Sequence, residues 1–228
     1  MRLPYVANPP QPSSPEDAAI VARIQARRAP RPLQPLDLAL LHAPPVADGW
    51  NAFLGAVRTR TTLPDDLREI AISRVAVVNR AWYEWAHHAP LAVAGGVSEQ
   101  GMEVVRREGP LVLAGEGKVE RPEGLSEKQW AVVCFTDEMT RDVQVRDETF
   151  AVVKGLFGER EVVEITATVC ACFSFLLRVF WGLVLFGAAA GDAAGDAGDA
   201  DDGFVRLLAI TASVDSWWLW TVSLQTHV

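Results

Sequence analysis

An apolar run with helical spacing, residues 63–97, constrains the fold of this chain more than any other feature. Asp65 and Asp66 follow Pro64 at its start, and this order is typical of a helix N-terminus, where carboxylates stabilise the positive end of the helix dipole. Apolar residues then recur at intervals of three or four: Leu67, Ile70, Ala71, Val75 and Val78. The pattern predicts a helix with one buried stripe.

The polar positions of the same run fall largely off this stripe, among them Ser73 and Arg74. Asn79 is suited to cap a second helix, because its side chain can accept a hydrogen bond from a free backbone N–H. Gly95 and Gly96 predict the end of that helix, since glycine readily adopts the left-handed conformation found there. The run therefore predicts two consecutive helices.

Three titratable side chains interrupt the apolar run: Glu69, Glu84 and His88. Glu84 and His88 are four positions apart, so they share one face of a helix. A carboxylate at that distance favours the protonated imidazole and orients the ring, which suits the pair to proton transfer near neutral pH. Glu69 joins them if the two helices pack together. Among apolar neighbours its pKa is expected to be raised, so that it can serve as an acid.

Non-catalytic roles remain open for Glu84, His88 and their neighbours in the sequence. A Glu/His pair at this spacing is often a solvated surface pair that contributes about 0.3 kcal/mol. His87 suggests a metal site, but one helix face offers fewer than the three or four ligands that zinc requires, so we expect neither metal nor cofactor. Trp82, Tyr83 and Trp85 suit a protein core or a subunit interface, and the tryptophans also suit the apolar wall of a ring-binding pocket.

The charge and cysteine content exclude several classes of function. Lys and Arg number 21 against 29 Asp and Glu, a net charge of −8, so no excess of cations is available to bind nucleic-acid phosphates. The three cysteines, Cys134, Cys170 and Cys172, include no CxxC pair, and their odd number argues against a disulfide framework. The N-terminus lacks the apolar core of a secretory signal, so we expect a cytoplasmic protein.

The remaining patterns predict further helices and almost no strands, which makes the fold class all-α. The predicted additional helices cover residues 17–28, 36–41, 46–58, 98–109, 126–140 and 147–158, with a last one from about residue 161. We expect a Pro-rich arm and short helix in residues 1–30 and one helical domain in residues 31–169. The first 17 residues are expected to be loose, because their composition buries little apolar surface.

Residues 170–228 are predicted to form a divergent hydrophobic and Gly/Asp/Ala-rich tail. Three interpretations of this tail compete: a membrane span over residues 165–190, a core helix followed by a linker and an aromatic end, and an imperfect gene model. Arg178 would lie near the centre of the span, which is costly for an unpaired charge, so we do not expect a membrane protein.

Two long blocks of the sequence carry a family resemblance. They read LREIAISRVAVVNRAWYEWAHHAPLAVAGGVSEQ and QWAVVCFTDEMTRDVQVRDETFAVVKGLFGEREVVEIT. Together they resemble the carboxymuconolactone decarboxylase and AhpD-like superfamily over roughly residues 36–168. The resemblance implies an AhpD-like fold of antiparallel helices and assembly into homo-oligomers, commonly trimers or hexamers.

The redox branch of that superfamily uses a glutamate, a CxxC motif and a histidine four residues after the second cysteine. Glu69 and His88 fit the glutamate and the histidine, whereas Ala81 and Glu84 occupy the two cysteine positions. Without that dithiol, peroxide reduction has neither a nucleophile nor a resolving thiol at this site. The sequence therefore resembles the decarboxylase-like branch, whose members act on small carboxylated ring compounds or lactones.

The resemblance weakens towards the C-terminus. Cys172–Phe173 and Leu177–Arg178 stand where such domains usually have a Tyr-Asn pair and a Ser-Arg pair. We therefore expect an atypical C-terminal segment.

The leading hypothesis is a cofactor-free, decarboxylase-like lyase acting on a small aromatic or polyketide-derived acid. His88 is the predicted general acid/base, Glu84 its orienting carboxylate and Glu69 a second acid or substrate contact. Trp82, Trp85 and His87 are the predicted substrate-binding residues. Two rivals remain: an AhpD-type redox protein that brings Cys134 close to the histidine, and a non-catalytic helical oligomerisation module.

Overall fold

A computed structural model of the protein describes the backbone of residues 4–176 and the side chains as far as Cys172. Helices are the regular structure of this part of the chain, and no strand occurs in it, which confirms the predicted all-α fold class. The helices are α1 (Pro15–Arg28), α2 (Pro35–Leu40), α3 (Pro44–Thr59), α4 (Asp65–Val78), α5 (Trp82–Ala94), α6 (Glu99–Val105), α7 (Glu127–Arg141), α8 (Asp147–Leu156) and α9 (Glu159–Leu176).

Helix α4 lies at the centre of the main core and packs against α5, α6, α7 and α9. Every residue from position 69 to position 77 is buried. The predicted single stripe is therefore wrong, because α4 has neighbours on several sides and presents no long solvent face. Ser73 and Arg74, which were expected largely off the buried face, are both fully buried.

Arg74 is stabilised inside the core by Asp137 of α7. Its Nε donates to Oδ1 of Asp137 at 2.7 Å, and one of its Nη atoms meets the same oxygen. The guanidinium also donates to three backbone carbonyls, those of Val105, Arg107 and Gly109. A buried arginine is tolerated here because one carboxylate and three carbonyls satisfy its N–H groups. The pair ties the segment after α6 to α4 and α7.

The N-terminal helices form a second apolar cluster. Its buried members include Ile20, Val21 and Ile24, the buried residues of α1. Two residues of the arm that was expected to be loose contact this cluster: Tyr5 and Val6 pack against it, and the Val6 N–H donates to a carbonyl of α2 at 3.3 Å. Two large apolar side chains thus supply the anchoring that a Pro- and Ser-rich composition did not predict.

The predicted helix signals at Pro64 and at the two glycines are confirmed. Helix α4 begins directly after Pro64, and α5 ends at Gly95, with Gly96 in the left-handed region at φ 114°. Asn79, however, does not cap α5. It is the C-cap of α4, and α5 begins at Trp82, because the chain turns sharply through Arg80 at φ 54°.

Helix α9 runs through the boundary that was predicted near residue 169 and continues to Leu176. Residues 177–228, which make up most of the predicted tail, lie outside the described residues, so the proposed domain division stays a prediction. Among the helices that are described, none combines the length and apolar character that a bilayer crossing requires.

Candidate functional site

The candidate site lies where α4 and α5 pack against each other. Helix α4 contributes Glu69 from its second turn, and α5 contributes Glu84 and His88 from one face. All three side chains are buried, with residue exposures of 4%, 7% and 4%. The short connection through residues 79–81 holds the two helices side by side, so their ionisable groups meet in the core.

The three predicted catalytic residues are in contact. Nδ1 of His88 donates to Oε2 of Glu69 at 2.6 Å, and Nε2 of His88 lies 3.3 Å from Oε2 of Glu84. The histidine ring therefore lies between a carboxylate from each helix. Burial makes these interactions stronger than the solvated surface pair considered as the alternative.

A fourth residue, Arg58 of α3, completes the site and was missed by the sequence analysis. Its Nη2 lies 3.2 Å from Nε2 of His88, and its side chain is half-buried. The contact spans 30 positions of the chain. The one available sequence signal was the short connection between α3 and α4, which keeps the end of α3 near the start of α4.

The two neighbours of His88 Nε2 require opposite protonation states of this nitrogen. A guanidinium only donates hydrogen bonds, and an ionised carboxylate only accepts them. Unprotonated Nε2 can accept from Arg58, whereas protonated Nε2 donates to Glu84. Because Nδ1 is held by Glu69, the protonation of Nε2 decides which neighbour it binds. This is the arrangement of a proton-exchanging atom.

The expected rise of the Glu69 pKa is wrong. Burial does raise the pKa of this carboxyl, but the hydrogen bond from His88 and the positive charges of His88, Arg58 and Arg68 outweigh it, and the pKa of Glu69 falls below its ordinary value. Glu69 is therefore an anion that holds the ring, not a reservoir of protons.

The pKa of His88 moves in the opposite direction. Burial lowers it, yet the hydrogen bonds to Glu69 and Glu84 overcome both burial and the repulsion from Arg58, so the pKa of His88 is raised. A raised pKa keeps the imidazolium available near neutral pH, which is the protonation state that a general acid needs.

The predicted substrate-binding residues differ in how far they are exposed. Trp82 and His87 are exposed, and the His87 ring lies tilted by 41° against the Tyr83 ring at a centroid distance of 4.2 Å. Trp85 is half-buried and packs against the main core. The three residues therefore differ in their surroundings, and their part in binding stays a prediction.

The redox rival requires a reactive cysteine near His88, and the cysteines differ in their neighbours. Cys134 is fully buried on α7, and burial and its acidic neighbours Asp137 and Glu138 raise its pKa. Cys172 of α9 is the cysteine whose electrostatic neighbours include Arg58 and Glu84. Burial raises its pKa to about 12, so its thiol is protonated at neutral pH and a poor nucleophile.

The described residues contain no group of three or more His, Cys, Asp or Glu side chains arranged to hold a metal ion.

The fold and site define a class: an all-helical protein in which adjacent helices hold a buried histidine between two carboxylates. Residues 44–109 match the model of the Carboxymuconolactone decarboxylase family. This stretch contains all four site residues. The match includes the first resemblance block and confirms, over residues 44–109, the resemblance that this block predicted.

No curated protein and no solved structure matches the chain significantly. The family match ends at residue 109, so the resemblance of the second sequence block stays a prediction.

Proposed function

We propose that the protein is a lyase that removes CO2 from a small carboxylated ring compound or polyketide-derived acid and protonates the product, with His88 as the proton donor. One observation carries this proposal: the buried 2.6 Å contact between Nδ1 of His88 and Oε2 of Glu69, which leaves Nε2 as the atom that exchanges the proton. The family match supports the general class of protein.

The chemistry of such a substrate fits these groups. When a β-keto or vinylogous acid loses CO2, the C–C bond to the carboxylate breaks and its electron pair becomes an enolate. The imidazolium then transfers its Nε2 proton to the enolate carbon, and solvent returns one proton to the ring. The positive charge of His88, held by two carboxylates, stabilises the negative charge that develops on the substrate.

The structure favours a different division of labour between the two glutamates than the sequence predicted. Glu69 contacts Nδ1 at the shorter distance and is the better orienting group, since it fixes the tautomer that leaves Nε2 free. Glu84 faces Nε2 and is suited to relay its proton.

The redox alternative lacks its chemical groups at this position. Ala81 and Glu84 stand where the dithiol would be, and neither can carry electrons to a peroxide. If the protein nevertheless reduces hydrogen peroxide with a dithiol reductant, and C172S abolishes that activity, the redox function replaces the one proposed here.

The test is CO2 release from carboxymuconolactone and from a panel of aromatic β-keto acids. We expect H88Q to lower turnover by a factor of roughly 100 or more, the usual contribution of a general acid. H42Q is the control, because His42 is exposed and its ring contacts the Pro4 carbonyl instead of a site residue. An H88Q rate within a few-fold of wild type would remove His88 from the mechanism.

We further propose a homo-oligomer, a trimer or hexamer as the family resemblance implies. Exposed apolar side chains on α5 support it: Trp82, Tyr83, Leu91 and Val93. Light scattering coupled to size-exclusion chromatography gives the mass directly, and a monomer across the micromolar range contradicts this proposal.

A further inference from the structure

We propose that Arg58 is the carboxylate-binding residue of this site, and that pairing with a ligand carboxylate draws its guanidinium away from Nε2 of His88. The inference rests on the proposed function in one respect, namely that the ligand is a small carboxylate anion. It adds a residue and a recognition role that the sequence motif does not contain.

The first argument is the state of the guanidinium. Within the described residues, the contact with His88 Nε2 is its one hydrogen bond, and no carboxylate oxygen lies within 4.0 Å of it. Four of the other arginines that are at least partly buried differ, because each forms an ion pair with an acidic side chain: Arg28, Arg68, Arg74 and Arg146. Among the described side chains and carbonyls, Arg58 therefore leaves most of its five N–H donors available to a ligand.

The second argument is access. Glu69, Glu84 and His88 are each less than a tenth exposed, whereas Arg58 is half-buried. Of the four site residues, Arg58 is thus the one that a ligand arriving from solvent can contact before the others. A half-buried arginine next to a proton donor is well suited to bind an anionic ligand. Desolvation strengthens the ion pair, and the planar guanidinium can donate two hydrogen bonds to one carboxylate.

The third argument is the competition at Nε2. Arg58 and Glu84 both lie within 3.3 Å of this nitrogen, and Arg58 can bind it only when it carries no proton. A ligand carboxylate that takes the guanidinium removes this donor and cancels part of its charge. Because the charge of Arg58 lowers the pKa of His88, ligand binding would raise that pKa and favour the protonated imidazole. Binding and protonation are thereby coupled.

The test uses benzoate as a carboxylate probe and benzamide as its neutral counterpart, with the full-length protein. Chemical-shift titrations give the affinity, and the imidazole resonances give the pKa of His88. We expect R58M to weaken benzoate binding by about 10-fold or more, as the loss of a charged hydrogen bond predicts. We also expect benzoate to raise the His88 pKa in wild type and not in R58M.

R60M is the matched control, because Arg60 lies two positions on, is exposed and contacts the Ala52 carbonyl at 3.4 Å. It should bind benzoate within about two-fold of wild type, and benzamide should not distinguish R58M from wild type. R58K keeps the charge without the fork and serves if R58M fails to fold. Its benzoate affinity should fall between those of wild type and R58M.

Two results would overturn the inference: R58M or R58K binding benzoate as tightly as wild type, or wild type showing no benzoate binding at millimolar concentration. Failure of the proposed function gives a different pattern, because benzoate binding requires no turnover. If no acid of the panel releases CO2 but R58M binds benzoate more weakly than wild type, the carboxylate-binding role of Arg58 is supported and the proposed lyase function is not. If H88Q abolishes turnover while R58M binds benzoate as tightly as wild type, the proposed lyase function is supported and the carboxylate-binding role of Arg58 is not.

Discussion

His88 and Glu69 lie 19 residues apart in the chain, and Nδ1 of one meets Oε2 of the other at 2.6 Å inside the core. The contact links α4 to α5 and fixes which nitrogen of the ring faces the remaining two groups. One ion pair therefore serves both the packing of two helices and the orientation of the proposed proton donor.

This pair should make stability depend on pH in a defined window. The raised pKa of His88 contributes stability that is complete below its unfolded value near 6.5 and is lost as pH rises through the folded value. The lowered pKa of Glu69 contributes stability that is complete above 4.5 and is lost as pH falls through its folded value. Wild type should therefore exceed H88Q most between about pH 4.5 and 6.5.

Urea unfolding of both proteins at a series of pH values measures that difference. We expect a maximum of roughly 3 kcal/mol, the lower end for removing one partner of a buried pair. H42Q should parallel wild type throughout, since its histidine is exposed. A difference between wild type and H88Q that stays flat from pH 4 to 9 would show that the two side chains are not coupled.

Arg74 should be the costliest charged side chain to remove from the described core. R74M leaves Asp137 and three carbonyls with fewer donors, although Arg141 still contacts Asp137 at 3.0 Å. We expect a loss of roughly 3–5 kcal/mol in the free energy of unfolding. R23M is the comparison, because the Arg23–Asp48 pair is exposed and screened by solvent, so its loss should change the free energy of unfolding far less. Equal losses in the two variants would contradict a structural role for the buried pair.

The sequence predicted those features of the site that depend on local signals. Proline and aspartates mark the start of α4, a glycine marks the end of α5, and four-residue spacing brings Glu84 to His88. What it could not predict depends on elements distant in the chain. Arg58 reaches the histidine across 30 positions. The pKa of Glu69 falls because the hydrogen bond from His88 and the nearby positive charges outweigh the rise that burial alone would cause.

The thiols provide a test of the burial assigned to α7 and α9. Cys170 is exposed, whereas Cys134 and Cys172 are buried, and burial raises the pKa of Cys172 to about 12. Iodoacetamide at neutral pH should therefore modify Cys170 first in the folded protein, and all three thiols in guanidinium chloride. Mass spectrometry of peptides identifies the labelled positions, with C170S as the control that should remain unlabelled. Rapid labelling of Cys172 would show that this thiol is accessible and reactive in the folded protein, and it would support the redox alternative.

A last prediction concerns the packing of α6 against the loop before α7. A Cβ at Gly101 would lie 2.6 Å from the backbone oxygen of Gly124, and Ser98 already donates to that same carbonyl at 2.7 Å. The backbone therefore has no room for a methyl group, and G101A should destabilise the protein by roughly 1–3 kcal/mol. Thermal or urea unfolding measures the loss.

The matched variant for that experiment is G49A, which makes the same substitution in the interior of α3. Gly49 is exposed, and nothing lies within 4 Å of the position that its Cβ would take. Alanine there should stabilise the protein by roughly 0.5–1 kcal/mol, since it restricts the unfolded chain without a clash. The two variants should thus change stability in opposite directions. If both raise it, the close contact between Gly101 and Gly124 does not form in solution. The apolar contacts of Met102, Val104 and Val105 would then have to hold α6 in the core.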